Sequence, residues 1–198
     1  DTLSLHDALP IYFRRRRRHR IEPFIRTCCM KKLLLPALAI IVCGLVAFAL
    51  FAKRNMQWHL VIVGEGPEDS WYRSLIAKNG LEDRIRIEPF TNDVNSYYVQ
   101  AGVYVLASRW EGMPLVLMEA MAHGLPVIAS NLPIVEELLG ESRAAVLFEN
   151  GNIAELAERM VGMATSTDLA ERGRIAMEYA REFSINNIIK EWKEIIER

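Results

Sequence analysis

Hydrophobic and polar positions follow two alternating patterns from residue 58 to the end of the chain. Short apolar runs rich in β-branched residues predict strands at 59–63, 84–87, 103–106, 126–129 and 145–148. The stretches between these runs predict helices at 69–79, 93–101, 114–123, 133–139 and 152–164, and then a long C-terminal helical stretch broken near Phe183. This alternation is typical of right-handed βαβ units. The sequence therefore predicts an α/β fold with a Rossmann-like, doubly wound parallel sheet.

Residues that commonly begin or end helices support these helix boundaries. Pro114 suits the first turn of a helix, and Gly124 suits the position just past a helix end. Asn152 and Glu155 have the spacing of a capping box, in which each side chain accepts a backbone N–H of the other residue. These signals predict where three of the helices begin or end.

An uncharged stretch from residue 33 to residue 52 precedes the first predicted strand, with two basic residues on each side. It is long enough to cross a bilayer, as a membrane anchor or an uncleaved signal-anchor would. It also runs directly into a strand, as the first buried helix of an α/β domain would. Pro36 and Gly44 weaken the helix in both interpretations.

Charge divides the chain into a basic arm and an acidic domain. Residues 1–55 carry 11 Lys and Arg against 3 Asp and Glu, whereas residues 56–198 carry 13 against 22. Residues 1–29 contain an arginine run at 14–18 and no sustained period, which predicts disorder. The first dozen residues also resemble translated sequencing-adapter sequence, so the alternative is an artefactual segment. No aromatic platform or helix-turn-helix pattern follows the arginines, and nucleic-acid binding is not predicted.

The chain is thus divided into a basic segment at 1–29, a hydrophobic helix within 30–55 and one domain at 56–198. Its three cysteines, Cys28, Cys29 and Cys43, have no metal-ligand spacing. We expect no disulfide framework and no metal site, and the default location is the cytoplasm.

Ligands of an open parallel sheet bind beyond the carboxyl ends of its strands. The loop after the first predicted strand of the domain contains Gly64 and Gly66, which allow the backbone to approach a ligand. Only two of the three glycines of the dinucleotide fingerprint are present, and a tight strand-to-helix turn needs glycine without any ligand. Gly64 and Gly66 are therefore candidate contacts and do not identify a dinucleotide site.

The loop 108–114 carries a second candidate site. Glu111 lies in this loop, and Glu119 lies about one turn into the following helix, so both carboxylates can face a ligand at the helix N-terminus. Ribose hydroxyls are natural partners for Glu119. Two glutamates eight residues apart are common by chance, so their spacing alone does not indicate a site. The residues around them provide the stronger evidence. His123 near the helix end can be a general base or simply a favourable charge for the helix dipole.

The segment from Ser108 to Ser130, SRWEGMPLVLMEAMAHGLPVIAS, resembles the signature of retaining GT-B glycosyltransferases of family 4. The resemblance extends through WHLVIVGEGP at 58–67, VYVLAS at 103–108, PIVEE at 133–137 and VLFENG at 146–151. It covers roughly residues 56–198 and implies the C-terminal, nucleotide-sugar-binding half of a GT-B fold. The resemblance also implies that the N-terminal half is truncated, with a disordered or hydrophobic extension in its place.

The resemblance implies a role for individual residues. Glu111 corresponds to the catalytic glutamate near the donor sugar, and Glu119 to the glutamate that bonds the ribose. Residues 88–90 lie where the family holds the base. Other donor-binding candidates, which surround the sugar and diphosphate, are Arg109, Gly112, Met113, Pro114, Leu115 and Val116. The base-side candidates are Glu88, Pro89 and Phe90, with proline where glycine is usual.

The implied function is retaining transfer of a sugar from a UDP- or GDP-linked donor in polysaccharide or glycolipid synthesis, with no separate cofactor and no metal. The Arg and Lys with which the family holds the diphosphate are not found, and Arg109 and Arg73 are weak substitutes. The acceptor domain is also not found, so the acceptor is unknown and we expect no transfer by this chain alone.

Two alternatives stay open. A membrane-anchored, non-catalytic module would bind a nucleotide sugar or a partner, at the cytoplasmic face of the inner membrane. The same fold can also perform epimerisation or phosphorolysis.

Overall fold

The computed structural model describes residues 10–15, 36–55, 57–139 and 142–197. The strands of these ranges are β1 Pro10–Arg15, β2 Trp58–Val63, β3 Ile85–Glu88, β4 Val103–Leu106, β5 Val127–Ser130 and β6 Ala145–Phe148. The helices are α1 Pro36–Ala52, α2 Asp69–Lys78, α3 Asn95–Gln100, α4 Leu115–Ala122, α5 Pro133–Leu139, α6 Ile153–Thr165, α7 Leu169–Glu182 and α8 Ile185–Ile196.

The strands form one sheet in the order β3-β2-β1-β4-β5-β6. β2 and β3 pair in parallel, as do β4, β5 and β6, and all five strands point in one direction. Each predicted strand lies within one residue of its observed bounds. β4 and β5 are buried at every position, as expected for strands covered on both faces. The predicted α/β fold is confirmed.

β1 lies in the middle of the sheet and runs antiparallel to both of its neighbours. Its Tyr12 pairs with Val61 of β2 on one side and with Tyr104 of β4 on the other. The prediction of disorder for residues 1–29 is therefore wrong at Pro10–Arg15, and the remaining residues of that segment lie outside the described ranges. Pairing on both sides satisfies the backbone hydrogen-bonding groups of β2 and β4. Because these strands are far from β1 in the chain, the local sequence pattern of residues 10–15 does not reveal this stabilisation. Whether the first dozen residues are artefactual stays a prediction.

α1 packs against α6 and contributes to the hydrophobic core. Phe48 and Phe51 are fully buried, with ring centroids 5.6 Å apart. Pro36 opens the helix, where its missing N–H breaks no helical hydrogen bond. α1 therefore takes the second of its two interpretations, the first buried helix of the domain. Within the described ranges, no helix is both long enough and apolar enough to cross a membrane.

The connection from α1 into the sheet is held by one arginine. The guanidinium of Arg84 donates to the carbonyl of Asn55 at 2.7 Å and to that of Trp58 at 2.6 Å, and it lies over the ring of Phe48. These bonds satisfy the backbone where the helix passes into β2, so Arg84 ties the start of β3 to the end of α1.

The strand order reverses at the centre of the sheet. From β2 the chain moves outward to β3, and from β4 it moves outward in the other direction to β5 and β6. Because parallel crossovers are right-handed, α2 lies on one face of the sheet, and α4 and α5 lie on the other. Ligands of such sheets bind beyond the carboxyl ends of the strands at this reversal. The loops after β2 and β4 are the two that flank it.

Candidate functional site

The loop between β4 and α4 combines buried and exposed side chains. Ser108 is fully buried, Arg109 and Trp110 are exposed, and Glu111 is half-buried with its Oε1 shielded from solvent. Pro114 is buried and directly precedes α4, which begins at Leu115, one position later than predicted. Glu111 is therefore held at the mouth of the helix, between the sheet and solvent.

Gly112 leaves open space in this loop. A Cβ atom added there would have Trp110 Cη2 as its near neighbour, at 3.9 Å, which is an ordinary van der Waals distance. The φ angle of Gly112 is not positive, so its backbone accepts other residues. Neither packing nor backbone conformation explains glycine at this position. The space beside Gly112 is available to a ligand, and an atom placed in it would also touch the indole of Trp110.

Glu119 lies on α4 a little more than one turn from its start, and its exposed carboxylate has a protein partner. The hydroxyl of Tyr98, a buried residue of α3, donates to Glu119 Oε2 at 2.9 Å. The Tyr98 ring stacks on His123 with centroids 4.8 Å apart, and His123 Nδ1 lies 2.8 Å from the backbone oxygen of Glu119. Sequence reasoning missed Tyr98 because a tyrosine in a predicted helix carries no sign of a long-range partner.

Two asparagines from neighbouring loops join the loop after β4. Asn150 donates through its side chain to the carbonyl of Arg109 at 3.0 Å, and its backbone N–H donates to Asn131 Oδ1 at 2.8 Å. The Arg109 Nη2 atom lies 3.7 Å from the place of a Cβ on Gly151. The loops after β4, β5 and β6 therefore meet at one edge. Neither asparagine was a sequence-predicted site residue, although both follow strand ends.

The loops after β2 and β3 form the other side of this edge. The N–H of Gly64 donates to the carbonyl of Glu88 at 2.9 Å, so these two candidates lie together. Phe90 exposes about half of its surface, and Pro89 is also exposed. The Arg73 guanidinium donates to the carbonyl of Ile87 at 3.0 Å and is thereby directed to β3.

Electrostatics distinguish the two helix N-termini that flank the reversal. α2 begins beside Glu65, Glu68 and Asp69, and burial raises the pKa of Asp69, with Glu65 and Glu68 adding to the rise. Burial, with Glu68 and Asp69 nearby, also raises the pKa of Tyr72 to about 12. α4 has no acidic residue in its first turn and one, Glu111, in the loop before it, against two before α2 and one in its first turn. Because helix N-termini attract anions through their free N–H groups and partial positive charge, the start of α4 is the better phosphate site.

The structure thus groups the candidates at one edge of the sheet. Gly64, Gly66 and residues 88–90 lie on the β2–β3 side, and residues 109–116 with Glu119 lie on the β4 side. This arrangement can hold a ligand with an anionic middle at α4, hydroxyl groups at Glu111 and Glu119, and an apolar group near Phe90. The roles of these residues in binding stay predictions.

Comparison with known proteins supports the family resemblance of the sequence. A family model described as "Glycosyl transferases group 1" matches residues 44–182. An uncharacterized glycosyltransferase of Haemophilus influenzae is 35% identical over 157 residues, covering 77% of this chain and 44% of that protein. A GDP-mannose:cellobiosyl-diphosphopolyprenol alpha-mannosyltransferase of Xanthomonas oryzae pv. oryzae is 29% identical over 152 residues, covering 74% of this chain and 38% of that protein.

The fold is also similar to that of solved glycosyltransferases. The pneumococcal O-GlcNAc transferase GtfA, crystallised in complex with UDP and GlcNAc, superimposes with a TM-score of 0.69 at 26% identity. That match covers 79% of this chain and 32% of the GtfA chain. The chain therefore spans less than half the length of each of these relatives.

Proposed function

Because the chain belongs to the glycosyl transferases group 1 family, we propose that it binds the nucleoside-diphosphate sugar of a retaining glycosyl transfer. The observation that carries this proposal is the open space at Gly112, directly before a helix whose first turn has no acidic residue. Glu111 directly precedes Gly112 in the loop, and Glu119 lies on the helix that follows.

The proposed site divides the donor into three parts. The N-terminal end of α4, with its partial positive charge, receives the diphosphate, which leaves with negative charge when the glycosidic bond to it breaks. Glu111 orients the sugar through its hydroxyls, and Glu119 accepts a hydrogen bond from the ribose. The base lies beside residues 88–90, where exposed Phe90 offers an aromatic surface. Arg109 is the cation of this loop that we assign to the diphosphate.

The names of the relatives include both nucleotides that we consider for the donor. The Xanthomonas relative uses GDP-mannose, and the pneumococcal structure contains UDP. The acceptor of the Xanthomonas relative is, by its name, linked to diphosphopolyprenol, which is a lipid. Because that acceptor is linked to a lipid, we propose that the protein acts in the cytoplasm at the face of a membrane, in the synthesis of envelope polysaccharide.

We further propose that transfer requires an acceptor-binding part in addition to these 198 residues. The chain spans less than half of each relative. In α8, Ile185, Trp192 and Ile196 each expose more than 60% of their surface, on a strongly amphipathic helix. Amphipathic helices normally bury such a stripe against another surface. We therefore expect donor binding without sugar transfer by this chain.

Titration calorimetry of the whole chain with UDP, GDP and ADP tests the proposal. We expect saturable binding of UDP or GDP, and a loss of about tenfold or more in affinity for Glu119→Ala, since a hydrogen bond to a charged group contributes about 1.5–3 kcal/mol. Glu111→Gln should weaken a UDP- or GDP-sugar and leave the free nucleotide unchanged. Glu158→Ala, an exposed glutamate of α6, is the matched control. Failure of the wild-type chain to bind any nucleotide would contradict the proposal.

A further inference from the structure

The contact between Tyr98 and Glu119 joins a buried donor to an exposed acceptor. Tyr98 exposes 3% of its surface, and its hydroxyl donates to Glu119 Oε2 at 2.9 Å. A carboxylate accepts hydrogen bonds on both of its oxygens. A bond from Tyr98 to Oε2 therefore leaves Glu119 able to accept a second bond, through Oε1, from a ligand at the start of α4.

The ring of Tyr98 is fixed by its neighbours. It stacks on His123 at an interplanar angle of 19°, and its centroid lies 6.3 Å from that of the fully buried Tyr104 on β4. His123 is itself bonded within α4, through Nδ1 to the backbone oxygen of Glu119. Two elements thus set the position of the Tyr98 hydroxyl, β4 through Tyr104 and α4 through His123.

Fixing the carboxylate matters for binding because a glutamate side chain has many rotamers. An exposed glutamate on a helix loses rotamer freedom when it engages a ligand, and this loss reduces affinity. A donor that already holds one carboxylate oxygen removes part of that loss before the ligand arrives. The benefit appears only for ligands that bond to Glu119.

We propose that Tyr98 is a positioning residue, which orients the carboxylate of Glu119 toward the ribose hydroxyls of the bound nucleotide. This inference rests on the proposed function, because it assigns a further residue to the same nucleotide site. It predicts that Tyr98 contributes to the preference of the protein for ribose over deoxyribose. A tyrosine whose hydroxyl merely needs a partner would affect stability without affecting that preference.

Tyr98→Phe tests the inference, because it removes the hydroxyl and keeps the ring that stacks on His123. Affinities for UDP and for 2′-deoxy-UDP, or for the guanosine pair if GDP binds better, are measured by titration calorimetry. We expect the variant to bind the ribonucleotide about three- to tenfold more weakly, a smaller loss than for Glu119→Ala, because the carboxylate remains and only its orientation is lost. Affinity for the 2′-deoxynucleotide should fall less, because only its 3′-hydroxyl remains to bond to Glu119.

Two further variants separate positioning from other effects. In a Glu119→Ala background, Tyr98→Phe should cause no further loss, since its action passes through Glu119. Tyr97→Phe makes the same chemical change one residue earlier in α3 and should leave both affinities unchanged. Thermal unfolding of each variant shows that the fold is kept.

The outcomes are distinct. An equal loss of affinity for both nucleotides, or no loss for either, would overturn the role of Tyr98 and leave the nucleotide site in place. An additional loss in the Glu119→Ala background would also overturn it. If wild-type protein binds neither nucleotide, the proposed function fails first and the inference fails with it.

Discussion

The two ends of α4 both carry glycine, for opposite reasons. At the N-terminal end, a Cβ on Gly112 would meet only the edge of Trp110 at 3.9 Å. At the C-terminal end, Gly124 has φ of +74°, and a Cβ on Gly173 of α7 would overlap the carbonyl oxygen of Gly124. The space beside Gly112 is open, whereas that beside Gly173 is filled by protein backbone.

This difference shows how a structural glycine can be told from one that serves a ligand. Where the missing side chain is replaced by the backbone of another helix, glycine allows close helix packing, and α4 and α7 are such a pair. Where the missing side chain is replaced by open space and φ is ordinary, the fold does not require glycine. We infer that the first end of α4 is maintained for binding and the second end for stability.

The largest effect is expected at the closed end. Gly173→Ala should lower the free energy of unfolding by about 2 kcal/mol, because overpacking typically costs 1–3 kcal/mol and backbone atoms of Gly124 cannot rotate away. This loss exceeds the gain of about 1 kcal/mol that alanine brings to a helix interior. Urea unfolding followed by circular dichroism measures the difference. A variant as stable as the wild type would mean that α7 can shift away from α4. Close packing would then not explain the glycine at position 173.

An intermediate effect, of a different kind, is expected at the open end. Gly112→Ala should change the free energy of unfolding by less than about 0.5 kcal/mol, as surface substitutions usually do. It should also weaken nucleotide-sugar binding about tenfold, which equals about 1.4 kcal/mol, because the new methyl group occupies the ligand's space. Urea unfolding and titration calorimetry are run on the same preparation. Unchanged affinity would show that no ligand approaches Gly112.

The smallest effect is expected at a glycine that belongs to neither class. Gly162 lies exposed on α6, and an added Cβ would meet no atom within 4 Å. Gly162→Ala should raise the free energy of unfolding by about 0.5–1 kcal/mol through helix propensity alone. Nucleotide affinity should not change. The chemical change is the same in all three variants. A loss of affinity in Gly162→Ala would therefore show that the loss in Gly112→Ala is not evidence for a ligand beside Gly112.

Much of the candidate site could be predicted from local sequence. Glu111 and Glu119 were placed on a loop and on the next helix, and the structure has them on the loop after β4 and on α4. Gly64 and Glu88 were predicted as contacts from separate loops, and the backbone bond between them brings those loops together. Tyr98, Asn131 and Asn150 were not predicted, since each acts across 19 residues or more of chain.

The N-terminus of α6 shows that local sequence predicts some contacts and misses others even within a few residues. Asn152 caps α6 as predicted, through its Oδ1 and the N–H of Glu155 at 3.1 Å. Glu155 does not complete the capping box, because its carboxylate accepts from the N–H of Glu149 at 2.8 Å and pairs with Arg159. The first bond follows from spacing along one helix turn. The second depends on how the loop after β6 approaches the helix.

The sequence by itself determined the order and approximate bounds of β2 to β6 and of most helices, because hydrophobic periodicity and turn residues act over a few positions. It also determined the segment 108–130 that identifies the family. Only the tertiary structure decided that α1 is buried in the domain, because a helix that is apolar on all sides suits a membrane and a core equally well. The place of β1 and the bond from Tyr98 to Glu119 were likewise decided by packing, which joins residues that are far apart in the chain.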